Sequence, residues 1–292
     1  MRVLLTGATG FIGTAVAKAL ARAGHEVIAL GRRSVPALDF THATCREHWQ
    51  PHLKGVDAVV NAVGVLRDSA RAPMDSIHCE APRALFEACA QAGVRRVVHI
   101  SALGIERNPT RYAQTKRSAD DVLLALTQAG QLDGLVLRPS VVFGKNGASS
   151  ELFIALSRLP FLMLPRPVLR ARVQPLAVGE LAQAIVALLP QRHSLGLMEL
   201  AGPQALTLAE FIASLRQQRG KSPAPAWPLP DWATRVSARL GDQVPISPWC
   251  SETLALLATD NVAEPGRLSR LLGRGATEPS RLLATLDGPE TA

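Results

Sequence analysis

Five apolar runs punctuate the first 145 residues: RVLL (2–5), EVIAL (26–30), DAVVNAV (57–63), RVVHIS (96–101) and LVLRPSVV (135–142). They are nearly continuous rather than alternating, the pattern of strands buried on both faces. Between them, 11–23, 79–92 and 115–130 carry apolar residues at helical spacing. Buried strands alternating with helices predict a parallel sheet covered on both sides, a doubly wound α/β domain. After Gly144 the pattern shifts. GKNGASS reads as a loop and 151–158 as a helix, and Pro160, Pro165 and Pro167 interrupt the next apolar stretch. Helices follow over 180–190 and 207–219, with a short strand and turn over 197–203 between them. Pro223, Pro225, Pro228 and Pro230 mark 220–230 as a connector. The tail from about 251 is helical in pattern but broken near Pro265 and Gly273. The division expected is a sheet domain over 1–145, to which about 173–202 returns, and a smaller, mainly helical portion over 146–292.

The first strand runs directly into TGATGFIG, which places Gly7, Gly10 and Gly13 between a strand and an amphipathic helix. Gly7 permits a tight turn, Gly10 lets backbone approach a pyrophosphate, and Gly13 allows the helix to pack closely on the sheet. The helix N-terminus supplies free N–H groups and a positive dipole end to phosphates. After the second strand, dinucleotide-binding folds place a carboxylate on the ribose 2′-OH. Here GRR follows, with Arg32 and Arg33. Guanidinium groups bind a 2′-phosphate that a carboxylate would repel, so NADP(H) is favoured, with NAD(H) left open.

Tyr112 is the single tyrosine, and Lys116 follows it by one helical turn. An unperturbed phenol, with a pKa near 10, is a poor proton shuttle at neutral pH. A neighbouring ammonium is expected to stabilise tyrosinate and bring the pair into range as a proton relay beside a hydride transfer.

These motifs, with LKGVDAVVNAVG (53–64), VRRVVHISALG (94–104), YAQTK (112–116), LRPSVVFG (137–144), VQPLAVGELAQAI (173–185) and MELAGPQALTLAEF (198–211), resemble the short-chain dehydrogenase/reductase superfamily. The resemblance is to its extended or atypical branch, which includes NAD-dependent epimerases and dehydratases. The group most alike holds the nucleotide-binding accessory subunit of respiratory complex I and its bacterial relatives. It covers most of 1–211, in the family's order; 212–292 resembles only the variable substrate side. It implies a Rossmann-like NAD(P)-binding domain whose cofactor residues are Gly7, Thr9, Gly10, Phe11, Ile12 and Gly13, with Asp39 and Phe40 bordering the adenine. Ala62, Val63 and Gly64 would wall the adenine ribose, and Tyr112, Lys116, Pro139 and Val142 would complete the nicotinamide end. Tyr112, Lys116 and Ser101 are the implied catalytic residues.

Two positions depart from the family. Its usual catalytic Ser or Thr falls one or two residues beyond Ser101, where this chain has Ala102 and Leu103. Losing such a donor costs about 10²–10³ in rate. Gly179 replaces a usual Asp, with Glu180 beside it as a substitute, and Arg138 reads as structural. Three readings follow: an NADP(H)-dependent oxidoreductase acting on a carbonyl, alcohol or quinone-like small molecule; a catalytically weak NADPH-bound structural or assembly factor near respiratory or quinone machinery; and an NAD-dependent nucleotide-sugar epimerase or dehydratase. The first is preferred.

Composition narrows the rest. The 292 residues are 47% hydrophobic and 19% charged, enough for a large core and against disorder. Four cysteines without a CxxC pair argue against a disulfide framework or a four-cysteine zinc site. No run of 18 apolar residues offers a spanning helix, and MRVLLTG is too short for a signal peptide, so a cytoplasmic protein is expected. The net charge of +8 is carried mostly by arginine; only five of the 32 basic residues are lysine. They are scattered, so nucleic acid is not an expected partner. His42, Cys45, His48 and His52 form the one ligand-like group, but Trp49 and Pro51 interrupt it, and polar residues on a connecting segment are the preferred reading; no metal is assigned. His99 reads as a neutral core histidine. Arg267, Arg270, Arg274 and Arg281 alternate with leucines near the C-terminus. A core-packed tail with a solvated basic face is preferred, with contact to a membrane surface or a large complex as the alternative. Substrate identity and oligomeric state are not encoded in any motif.

Overall fold

The computed structural model describes residues 1–35, 37–191, 196–244, 248–257 and 259–286. The chain divides into two compact units, Met1–Pro139 with Ala182–Glu199, and Ser140–Leu181 with Leu200–Ala292.

In the first unit the apolar runs form strands β1 (Arg2–Thr6), β2 (Glu26–Leu30), β3 (Ala58–Asn61), β4 (Arg96–Ile100) and β5 (Asp133–Pro139). With the strand Gly196–Leu200 they make a six-stranded sheet, ordered Gly196–Leu200, β5, β4, β3, β1, β2. The pairings among β1–β5 are parallel, with Leu4 between Ile28 and Val59. This is the doubly wound α/β class that the apolar runs predict. Helices α1 (Phe11–Arg22), α2 (Ala81–Ala92) and α3 (Arg111–Gln128) connect the strands. The chain leaves β1 towards β2 on one side and resumes at β3 on the other. Such a reversal opens a crevice at the carboxyl ends of β1 and β3.

The core beside the sheet joins Leu4, Val59, Val97 and Val136 to Leu85, Phe86 and Leu123 of α2 and α3. Trp49 closes one flank: it is fully buried, its indole N–H donates to the Ala43 carbonyl at 2.9 Å, and its ring meets Phe40 edge-on at 5.0 Å. Helix α3 begins four residues before the apolar pattern implies, because the Thr110 hydroxyl accepts from the Ala113 N–H at 3.2 Å and caps it. Tyr112 therefore lies inside the first turn of α3.

The second unit contains helices Ala148–Leu156, Leu208–Gln217 and Asp231–Asp242, and its core includes Phe143, Leu164, Phe211, Ile212, Leu215 and Leu282. The proline-rich connector is not all loop. Ala226–Leu229 forms a strand parallel to Leu162–Pro165, itself within a proline-interrupted stretch. A two-stranded ladder leaves one edge of each strand unpaired, so a proline without an N–H costs it nothing there. Glu180 receives Arg274 Nη1 at 2.7 Å and the Thr277 N–H and hydroxyl at 3.0 and 2.9 Å. It provides the bridge expected of the missing Asp at 179. In the basic tail, Arg267 and Arg270 pair with Glu264 at 3.3 and 3.5 Å, while Leu268 and Leu282 are buried. The tail is thus packed through Leu282, Leu283 and Leu286 and ion-paired at Arg267, Arg270 and Arg274, and 287–292 lie outside the described residues.

Candidate active site

The glycine loop bends at Gly7, whose φ of +73° favours glycine and whose added Cβ would fall 2.9 Å from the Ala62 carbonyl carbon. The loop closes with the Gly10 N–H donating to Gly7 O at 2.9 Å. A Cβ on Gly13 would lie 2.0 Å from Gly7 O, so the close approach at this glycine is to the glycine loop rather than, as expected, to the sheet. Gly10 caps α1 with extended backbone, no side chain caps that helix, and its first turn holds no acid. Thr9 and Gly10 are exposed, and Phe11 and Ile12 are half-buried. Uncapped N–H groups, a glycine cradle and a crevice at the sheet reversal fit the pyrophosphate of a dinucleotide.

Arg32 and Arg33 are exposed just beyond β2, in a turn where Ser34 Oγ accepts from the Gly31 N–H at 2.9 Å. Asp39 accepts from the Thr41 N–H at 3.0 Å and hydroxyl at 2.9 Å; chiefly the backbone bond, and further the Arg32 charge, hold its carboxyl below the usual range. Phe40 is buried, its ring edge-on to Trp49. Ala62, Val63 and Gly64 extend from the end of β3. Pro139 ends β5, its carbonyl accepting from the Leu103 N–H at 3.0 Å, and Val142 lies in the second unit.

Tyr112 and Lys116 sit one turn apart on α3, with Lys116 Nζ donating to the Ile100 carbonyl at 2.8 Å. Burial, with the Asp120 charge behind it, pushes the Tyr112 phenol up to about 12. This corrects the expected tyrosinate: the protein groups around Tyr112 keep the phenol protonated at neutral pH, because desolvation and a carboxylate both oppose its anion.

Asp120, a further turn along α3, is fully buried. Its Oδ2 accepts from Ser101 Oγ at 2.8 Å, Arg138 Nε at 2.9 Å and Arg138 Nη2 at 2.8 Å. Burial pushes the Asp120 carboxyl up and the Lys116 ammonium down, and each charge offsets part of the other's shift. Arg138 also pairs with Glu106, consistent with a structural role. The Ser101 hydroxyl is thus given to Asp120, Ala102 is half-buried and Leu103 is buried. Further polar residues continue the network across the strand ends. Thr6 Oγ1 donates to Asn61 Oδ1 at 2.7 Å, Asn61 Nδ2 lies 3.1 Å from His99 Nδ1, and His99 Nε2 lies 3.6 Å from Asp120 Oδ1. Neutral His99, its pKa lowered by burial, accepts from Asn61 at Nδ1 and carries its proton at Nε2, towards Asp120.

His78, like Asn61 and Asp120, is a site residue that sequence reasoning passed over. It sits on a wide helical turn, Asp75–Glu80, with its ring edge-on to Tyr112 at 5.6 Å. Its Nε2 accepts from the Val65 N–H at 2.9 Å, so its proton lies on Nδ1, 3.0 Å from Thr115 Oγ1. A Cβ on Gly64 would lie 3.6 Å from His78 Nε2 and 3.7 Å from Lys116 Nζ, so the tail of β3 passes close over both. Burial, reinforced by the Lys116 charge, depresses His78 to about 3. The unfolded chain takes up a proton here below about pH 6.5 and the folded protein only near 3, so this contribution to stability is full above 6.5 and falls through that window. At pH 5 the wild type should lose about 2 kcal/mol more than His78→Asn in denaturant unfolding, relative to pH 7.5. Parallel pH dependence in the two proteins would contradict the buried neutral assignment.

Elsewhere, Cys45 Sγ lies 3.1 Å from His48 Nδ1 on the surface, and among the described residues no three His, Cys, Asp or Glu side chains are grouped as metal ligands. No described helix is long and apolar enough to cross a membrane.

Residues 3–195 match the model of the NAD dependent epimerase/dehydratase family. Among curated proteins, the chain is 28% identical over 212 residues to a ceramide reductase of Caulobacter vibrioides, covering 68% of this chain and 64% of that protein. It is 22% identical over 270 residues to the mitochondrial NADH dehydrogenase [ubiquinone] 1 alpha subcomplex subunit 9 of Mus musculus, covering 84% of this chain and 68% of the relative. Its fold is that of a UDP-N-acetylglucosamine 4-epimerase from Bacillus cereus, with a TM-score of 0.70 at 16% identity over 99% of this chain and 100% of the other. With the glycine loop, the parallel sheet and the family match in agreement, the chain belongs to the NAD dependent epimerase/dehydratase family.

Proposed function

We propose that this protein is an NADPH-dependent reductase of an apolar carbonyl compound. The observation that carries the reading is Tyr112, held as a protonated phenol one turn from Lys116 at the carboxyl edge of the sheet. When bound, the reduced dinucleotide supplies a hydride to the carbonyl carbon. Tyr112 gives its phenolic proton to the carbonyl oxygen, completing the alcohol, and is reprotonated from solvent. Lys116 holds the cofactor ribose and its charge favours the transient phenolate. Arg32 and Arg33 select the 2′-phosphate. The ceramide reductase relative supports a lipid-like substrate, with the quinone class as the neighbouring choice.

A second reading, cofactor binding with little turnover, draws on Ser101. Its hydroxyl is committed to Asp120, and Ala102 and Leu103 offer no side-chain donor. Thermal titration of cofactor-stripped protein separates the readings. NADPH at 100 times its dissociation constant should add about 2.7 kcal/mol, and Arg32→Ala/Arg33→Ala should erase its advantage over NADH. A screen of long-chain ketones and quinones should then show NADPH oxidation. Preference for NADH together with stabilisation by a UDP-sugar would replace the reductase by an epimerase. NADPH binding without turnover on any carbonyl would favour the non-catalytic reading.

A further inference from the structure

The helix Asp231–Asp242 turns its small residues inward. Thr234 and Ala238 are buried, and Gly241 lies so close to Trp249 that an added Cβ would be 2.1 Å from its carbonyl oxygen. The large apolar side chains face outward: Trp232 is 67% exposed, Val236 48% and Leu240 59%. Positions 232, 236 and 240 recur every four residues and form one stripe on the helix. Arg235 and Arg239, both exposed, border that stripe. The segment 232–241 contains no carboxylate. The acids at the two ends are engaged, Asp231 with Arg166 at 3.4 Å and Asp242 with the Ser251 hydroxyl at 2.6 Å. One residue before the helix, through Pro230, the strand Ala226–Leu229 presents Trp227, 53% exposed, beside its cross-strand neighbour Met163, 52% exposed.

Tryptophan is ordinarily among the more buried residues, and Trp49 here is fully buried. Two half-exposed tryptophans and an aliphatic stripe bordered by arginines need an occupant that is apolar within and anionic at its boundary. A second copy of this face would oppose arginine with arginine. A bilayer bearing anionic headgroups satisfies both demands: tryptophan and leucine enter the interface while arginine stems reach to phosphates. We propose that the outward face of the helix Asp231–Asp242 seats the protein on an anionic lipid surface. This adds to the apolar-substrate reading a place where such a substrate is met, yet stands on its own observations.

The test is flotation of the full chain, without cofactor or substrate, with vesicles of phosphatidylcholine alone or mixed equally with phosphatidylglycerol. Wild type should float with the mixed vesicles and far less with phosphatidylcholine. Trp232→Ser/Val236→Ser/Leu240→Ser should abolish flotation with its melting temperature unchanged, since these side chains lie outside the core. Arg235→Gln/Arg239→Gln should weaken binding to mixed vesicles roughly 25-fold, about fivefold for each charge. Trp232→Phe should float normally but lose much of the blue shift in emission. Failure of wild type to float, or flotation of the triple variant like wild type, overturns the proposal. Self-association that the triple change abolishes, without vesicle binding, assigns the face to a second copy and overturns it equally. Because no cofactor or turnover enters the assay, a negative result leaves the reductase reading intact.

Discussion

Tyr112→Phe should lower kcat for carbonyl reduction by about 10²–10⁴-fold, the usual contribution of a positioned general acid. The cofactor-induced thermal shift should be unchanged, because the phenylalanine ring can keep its place against His78. The burial-raised phenol sets the pH dependence: the protonated form that reduction needs is fully populated at neutral pH, while alcohol oxidation needs the phenolate and should gain with alkalinity. Stopped-flow measurement of NADPH consumption gives the decisive comparison. Full turnover in Tyr112→Phe would remove Tyr112 as proton donor and return attention to solvent.

Asp120→Ala should destabilise the protein by about 3–5 kcal/mol, since it leaves Lys116 buried without a compensating carboxylate and Arg138 with only Glu106 of its two partners. Unfolding should move down by roughly 10 °C. Ser101→Ala removes only one donor to the same oxygen and should cost about 1 kcal/mol. Arg138→Met combined with Asp120→Ala should cost less than the sum of the single changes, because it removes a buried charge that Asp120→Ala leaves only partly compensated. Calorimetry on the four proteins measures this coupling. If Asp120→Ala melted with the wild type, the network would carry no stability, and Asp120 would matter only through its charge on Tyr112 and Lys116.

Local patterns in the sequence reveal the sheet but not the polar layer at its edge. RVLL and RVVHIS are legible as strands because a doubly covered sheet demands unbroken apolar runs. Gly7 is legible because few other residues accept its conformation. Asn61, His78, His99 and Asp120 stand far apart in sequence, and only strand order brings them together. One signal was present: Tyr112, Lys116 and Asp120 follow at four-residue intervals, one face of one helix. The strand Ala226–Leu229 was hidden by Pro228 and the prolines flanking it, which report a missing donor but not whether a partner needs it.

Arg96 gives the order of synthesis a structural meaning. Its Nη1 donates to the Asp133 carbonyl at 3.1 Å and its Nη2 to the Leu188 carbonyl at 2.6 Å. The guanidinium thus fastens β5 to the end of the helix Val178–Leu188, and the strand beyond that helix covers the other edge of β5. A ribosome that has finished β5 must add about 60 more residues, some 3–12 s of translation, before that strand has been made. Through that interval the nascent sheet ends in an open strand, the surface on which chains join one another. The second unit's first segment, made meanwhile, is the stretch during which a holding chaperone has most to protect, and a fragment stopped after Pro139 lacks the residues that complete its own sheet.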